Sequence, residues 1–217
     1  MGKTALIAGS TGLTGRLLLR KLLVDQAYEK VFSIVRTKTD EKNPKLVELI
    51  IDFNQFPFSL QDIKQVDDIF CCLGTTMKKA GSKDEFRKVD YEYPFKLATW
   101  GREIHAKHFL CISAMGANPS SGLYYNKVKG EMERDISLID LPATTFFRPS
   151  LLLGERVENR VGERIAVSVM KLFSFIFIGP IKNYKAIDAE KVAEAMMRAA
   201  HSPSEGTVVL LSGEMNK

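Results

Sequence analysis

Cysteine and histidine are scarce in this chain, three of each. The cysteines, Cys71, Cys72 and Cys111, form no CxxC pair, and no Cys/His group has metal-site spacing. That speaks against a disulfide framework or a zinc site, and no metal is expected. All three thiols lie in apolar runs, which predicts reduced core residues of a cytoplasmic protein. Long apolar runs are missing too. The longest near the C-terminus, LFSFIFIGP, falls far short of the roughly 20 residues that span a bilayer. The first residues lack the apolar length of a secretory signal. No membrane association is expected. Charge of one sign is not concentrated either. The net charge is +5, and the densest basic stretch, residues 36–45, is interleaved with acids and a proline. A solvated loop is the simplest reading, and no nucleic-acid partner is expected.

What is present is alternation. The 217 residues, 45% hydrophobic, suit one core. Short apolar runs (KTALIAG, KVFSIVR, KLVELIID, VDDIFCCLG, KHFLCISAMG, LPATTFFRP, GTVVLLSG) read as strands. Between them lie amphipathic stretches, TGRLLLRKLLVD, GLYYNKVKGEMERDISL and AEKVAEAMMRAAH, the last capped by Asp188. SLQDIKQ reads as a short helical piece. GSKDEFRKVDYEYPFKLATWGREIH reads as one long helical stretch, opened by Ser82 with Glu85 three residues on, and with Pro94 either kinking it or lying near its first turns. This is the βαβ pattern of an α/β, doubly wound, mostly parallel sheet of about seven strands, with helices on both faces and an order near 3-2-1-4-5-6-7. Residues 1–217 form a single domain, and the irregular stretch around 151–187 is the candidate for a lid-like insertion.

The glycines sharpen this to a Rossmann fold. Gly9, Ser10, Thr11, Gly12, Leu13, Thr14 and Gly15 spell GxxGxxG between a strand and a helix. A pyrophosphate must approach the backbone there, and the following helix points free N–H groups at it. The second strand ends in Arg36, with no acid until Asp40. A guanidinium suits a 2′-phosphate, so NADP(H) is favoured over NAD(H).

Tyr125 and Lys129 lie one helical turn apart, and Ser113 follows a strand twelve residues before Tyr125. A phenol beside an ammonium can exchange a proton with a carbonyl or alcohol oxygen, and a nearby hydroxyl can orient that oxygen.

Taken together these residues resemble the short-chain dehydrogenase/reductase superfamily, in its atypical or extended branch, in the group of Tat-interactive-protein-like NADP(H)-binding oxidoreductases. The strings that carry the resemblance are GSTGLTG at Gly9, Asp52-Phe53, CCLGTT at Cys71, KVDYEY at Lys88, KHFLCISAMGA at Lys107, YYNKVKGEME at Tyr124 and FFRPSLLLGER at Phe146. The resemblance implies that Gly9 to Gly15 wrap the pyrophosphate and that Arg36 meets the adenosine phosphate. It puts Asp52 and Phe53 near the adenine, and Leu73, Gly74, Thr75 and Thr76 along the ribose side. Lys129 would bond the nicotinamide ribose, and Arg148, Pro149 and Ser150 would carry the backbone under the nicotinamide. Ser113, Tyr125 and Lys129 would be catalytic. Two departures stand out. Asp90 occupies the region where many extended members have an asparagine, and there is no larger C-terminal substrate domain. The implied activity is hydride transfer with a small carbonyl or alcohol substrate. The alternative is an NADP(H)-sensing regulatory protein that reports to a protein partner with little or no catalysis.

Other residues take plainer readings. His105 and His108 are expected at the surface, at the amino end of the fifth strand. Phe173, Phe175 and Phe177 with Ile176 and Ile178 are expected to pack in a core or lid. Arg160 and Arg164 are expected in a solvated loop.

Overall fold

The computed structural model describes residues 2–53, 63, 65–153 and 186–216. Seven strands form the main sheet: β1 (Lys3–Ala8), β2 (Tyr28–Val35), β3 (Leu46–Ile50), β4 (Asp68–Cys71), β5 (His108–Ile112), β6 (Ala143–Arg148) and β9 (Gly206–Leu211). Their order is β3-β2-β1-β4-β5-β6-β9, and all six pairings are parallel. A second, two-stranded ladder pairs β7 (Leu152–Leu153) with β8 (Ile187–Asp188). The helices are α1 (Leu13–Val24), α2 (Met77–Ala80), α3 (Lys83–Arg87), α4 (Tyr93–Glu103), α5 (Tyr124–Ser137), α6 (Ala189–His201) and α7 (Ser212–Met215). The order in which strands are added reverses between β1 and β4, and a doubly wound sheet opens its ligand crevice at the carboxyl ends of such a pair.

Period-2 alternation sends each strand's apolar side chains to two cores. Ala5 and Ile7 of β1, Phe70 of β4, Leu110 of β5 and Phe147 of β6 face one core, with α1 and α6. Leu6 and Ala8, Ile69 and Cys71, Phe109 and Cys111, and Phe146 face the other, with α4 and α5. Leu18 and Leu22 of α1 are fully buried. Truncating such a leucine to alanine costs about 2–5 kcal/mol. The Asp188 carboxylate accepts from the Glu190 N–H and starts α6, whose buried face is mostly alanine and methionine. All three thiols are free, with Cys71 and Cys111 buried and in register on β4 and β5.

The long helical stretch differs from expectation in one respect. Ser82 Oγ does accept from the Glu85 N–H at 3.1 Å. A π turn, Lys88–Glu92, then separates α3 from α4, and Pro94 stands in the first turn of α4. A proline ring pushes on the carbonyl four residues back, here Asp90, and a widened turn relieves that push. The same widening carries Asp90 into the interior, where it is 1% exposed.

His108 also differs. It begins β5 and is buried, not at the surface; its Nε2 lies 2.8 Å from Thr145 Oγ1 on β6. Burial, aided by the Lys3 charge, pushes its pKa down to about 4. Strand pairing overrode the expectation, because the first residue of a central strand is already covered by both neighbours. SLQDIKQ, Arg160, Arg164, the Phe173–Ile178 cluster and most of the lid-like stretch fall largely or wholly outside the described residues.

Candidate active site at the carboxyl edge of the sheet

The glycine loop joins β1 to α1 as the sequence implies. Gly9 has φ 86°, and a Cβ there would lie 2.6 Å from the Cys72 carbonyl oxygen. A Cβ on Gly15 would lie 2.1 Å from the Gly9 oxygen. Only glycine fits at these two points, where helix, loop and β4 come together. Ser33 Oγ of β2 and Ser10 Oγ are 2.7 Å apart, which ties the loop down. Thr11 and Gly12 form its exposed tip, Leu13 is half-exposed, and Thr14 is buried in the first turn of α1. Gly12 caps α1 without a side-chain bond, so the backbone donors of that turn have no side-chain competitor at the cap.

Arg36 is exposed, one residue beyond β2. Just past it, Thr39 folds back onto Glu48 of β3. Asp52 and Phe53 part company: Asp52 is exposed, whereas Phe53 is buried and stacked on Tyr93 with ring centroids 4.9 Å apart. Leu73 follows β4 with its backbone nitrogen beside Gly9, and Gly74 next to it lies beside Asp90. Thr76 Oγ1 caps α2, accepting from the Lys79 N–H.

The loop from β4 then meets the π turn: the Thr75 N–H donates to Asp90 Oδ2 at 2.8 Å. The other Asp90 oxygen lies 2.8 Å from Lys129 Nζ. Lys129 is 3% exposed on its side chain and also donates to the Ile112 carbonyl at 3.4 Å. Burial opposes the Lys129 charge, but Asp90 beside it prevails and lifts the pKa above the usual lysine value. Ile112 ends β5, and Ser113 comes next. Ser113 is 3% exposed, and its Oγ has no hydrogen-bond partner among the described residues. Tyr125 is the second residue of α5, one turn before Lys129, half-buried, its ring 5.5 Å from that of Phe86. Burial raises its pKa; Lys129 pulls it down and Asp90 pushes it back up. The phenol is thus less acidic than a tyrosine beside a bare ammonium. Tyr124, its neighbour, turns away and donates to the Lys83 carbonyl at 2.9 Å.

The segment after β6 is held by its backbone. The Met115 N–H donates to the Pro149 carbonyl, and the Ser150 N–H to Ser212 Oγ. The Arg148 side chain turns to α5, where its Nε donates to Glu133 at 3.0 and 3.2 Å. Tyr125 and Lys129 therefore lie one turn apart on α5 with Asp90 against the lysine, and Lys129 reaches the strand end that Ser113 follows. The signal for Asp90 was its identity within KVDYEY. What sequence could not supply was its partner, 39 residues away.

No protein-family model matches the chain. Protein HTATIP2 of Rattus norvegicus is 34% identical over 215 residues, spanning 98% of this chain and 87% of the relative. The mitochondrial FMP52 proteins of Debaryomyces hansenii and Meyerozyma guilliermondii are 31% and 33% identical, spanning 97% and 98% of this chain and 94% of each relative. Among solved structures, UDP-N-acetylglucosamine 4-epimerase from Methanobrevibacter ruminantium M1 superposes with a TM-score of 0.72 at 15% identity, over 97% of this chain and 76% of that one. Bordetella bronchiseptica WbmG in complex with NAD superposes at 0.70 and 12%, over 99% and 74%. At such identities the superpositions carry the fold alone.

The relatives correct one expectation. Several carry mitochondrial names, so the cytoplasmic assignment is overturned. Free thiols report a reducing environment rather than one compartment. The apolar-length criterion recognises secretory signals, whereas organellar transit sequences are amphipathic. Among the described residues no helix is long and apolar enough to cross a membrane.

Proposed function

The chain belongs to the family of HTATIP2 and the FMP52 proteins, within the atypical branch of the short-chain dehydrogenase/reductase superfamily, and on that premise we propose that it is an NADP(H)-binding oxidoreductase acting on a carbonyl or alcohol. The observation that carries the reading is Ser113 Oγ, buried and unpartnered among the described residues, one residue past the Ile112 carbonyl that Lys129 reaches at the carboxyl edge of the sheet. A buried hydroxyl without a partner is a destabilising feature unless a ligand oxygen completes it. The cradle also fits a pyrophosphate, since the loop tip at Thr11 and Gly12 carries no bulk and the α1 cap leaves its donors free of side chains.

In this reading Gly9 to Gly15 hold the pyrophosphate and Arg36 meets the 2′-phosphate. Asp52 lies toward the adenine, and Leu73 to Thr76 line the ribose side. Residues 148–150 act through their tied-down backbone. The bound nucleotide supplies or accepts the hydride. Ser113 Oγ donates to the substrate oxygen. Tyr125 Oη gives that oxygen its proton as the carbonyl π bond breaks, and solvent then restores the phenol. An ammonium has three donors. Lys129 directs one to Asp90 and one to Ile112, leaving the third for the nicotinamide ribose.

Tyr125→Phe tests this. Turnover is expected to vanish, with NADPH affinity by calorimetry within about twofold of wild type. Undiminished turnover in that variant refutes the mechanism. A second reading, nucleotide sensing without chemistry, is favoured by the hold of Asp90 on Lys129. Turnover by the wild type in a broad aldehyde and ketone screen with NADPH eliminates it.

A further inference from the structure

We propose that Asp90 is a positioning residue that ties up the Lys129 ammonium and so keeps Tyr125 as a proton donor, which suits the site to carbonyl reduction at neutral pH. The inference rests on the oxidoreductase reading above and adds to it the direction of proton flow.

The argument is one of charge. Lys129 and Asp90 are both almost fully buried and 2.8 Å apart, so their charges cancel at short range. Asp90 is itself held: its second oxygen accepts from the Thr75 N–H, and the π turn that carries it is built around Pro94. Lys129 is held from the other side by the Ile112 carbonyl. Among the described residues, the charged groups acting on the Tyr125 phenol are Lys129, on its own helix, and Asp90, from the π turn. From α3 it meets the apolar ring of Phe86. A lone ammonium at such range would stabilise the phenolate; an ammonium already neutralised stabilises it far less. Burial then dominates and keeps the phenol protonated. A protonated phenol gives its proton to a carbonyl oxygen; a bound reduced nicotinamide nucleotide would supply the hydride and its electron pair. The reverse, alcohol oxidation, needs the phenolate as base and is confined to high pH.

The test is a proton titration of nucleotide-free protein labelled with [13Cζ]tyrosine, followed by NMR. The chain has six tyrosines, and Tyr125→Phe identifies the resonance. In the wild type the Tyr125 signal is expected to stay at its phenol position through pH 10. In Asp90→Asn its midpoint is expected to fall by about one unit or more, because the ammonium then acts alone. A wild-type midpoint below 10, or an unchanged midpoint in Asp90→Asn, overturns the proposal. Should Asp90→Asn fail to fold, Lys129→Met decides: with Asp90 left alone the Tyr125 midpoint must not fall, and a fall overturns the proposal. A role of Asp90 in stability alone would leave the tyrosine titration where it was. Since the titration needs no nucleotide, a failure of NADPH to bind would remove the oxidoreductase reading without moving this result.

Discussion

Arg148→Met measures how far the Arg148 side chain serves the fold and not the nucleotide. Glu133 sits on α5 with 7% of its side chain exposed, and Arg148 reaches it from β6 with 27% exposed. The guanidinium makes a forked contact, its Nε 3.0 and 3.2 Å from the two carboxylate oxygens. At an effective dielectric of about 20 and about 4 Å, such an attraction is worth about 4 kcal/mol before desolvation. Removing the cation strands a buried carboxylate, which costs about 3–5 kcal/mol. In a chain of this length each kcal/mol moves the melting temperature by about 2–4 °C, so a fall on the order of 10 °C is expected. Arg148→Met/Glu133→Leu removes both charges and should recover most of it, since apolar groups of similar volume replace buried pairs well. Thermal unfolding by circular dichroism, with NADPH calorimetry alongside, gives both readouts. A melting temperature within about 3 °C of wild type, or a loss of nucleotide affinity without a loss of stability, refutes the clamp.

Two further perturbations separate fold from site. Gly15→Ala places a Cβ 2.1 Å from the Gly9 oxygen and should lower stability by about 1–3 kcal/mol in urea unfolding. Gly12→Ala meets its nearest atom at 3.3 Å, so its stability should stay near wild type while NADPH affinity falls at the exposed loop tip. His108 predicts a pH dependence. Its folded pKa of about 4 lies below the unfolded value of about 6.5, so the unfolded chain binds the proton more readily. Stability from this group is complete above pH 6.5 and is lost as pH falls towards 4, by about 3 kcal/mol in all. Urea unfolding at pH 7 and pH 4.5 should show a smaller difference in His108→Gln than in wild type; equal differences would place the imidazole in solvent.

Much of the fold was legible because it follows local periodicity. A strand alternates its side chains whatever it pairs with, so KTALIAG and KHFLCISAMG carried their two-sided burial openly. The glycine spacing of residues 9–15 was equally plain, since a close backbone approach excludes every other residue type. His108 was misread because its burial depends on β6, which brings Thr145 beside it. Arg148 matched a family string, yet the string could not say that its side chain would leave the crevice for Glu133.

By itself, then, the sequence determined the alternation of strands and helices, the nucleotide-type loop and the Tyr125–Lys129 spacing, all of which are short-range matters of chain geometry. Only the tertiary structure decided what Lys129 touches. Asp90 reaches it through a π turn on another helix, and Thr75 and Ile112 hold the pair from two different strand ends. Electrostatic balance depends on distances between groups far apart along the chain, and those distances exist only once the sheet has assembled in register.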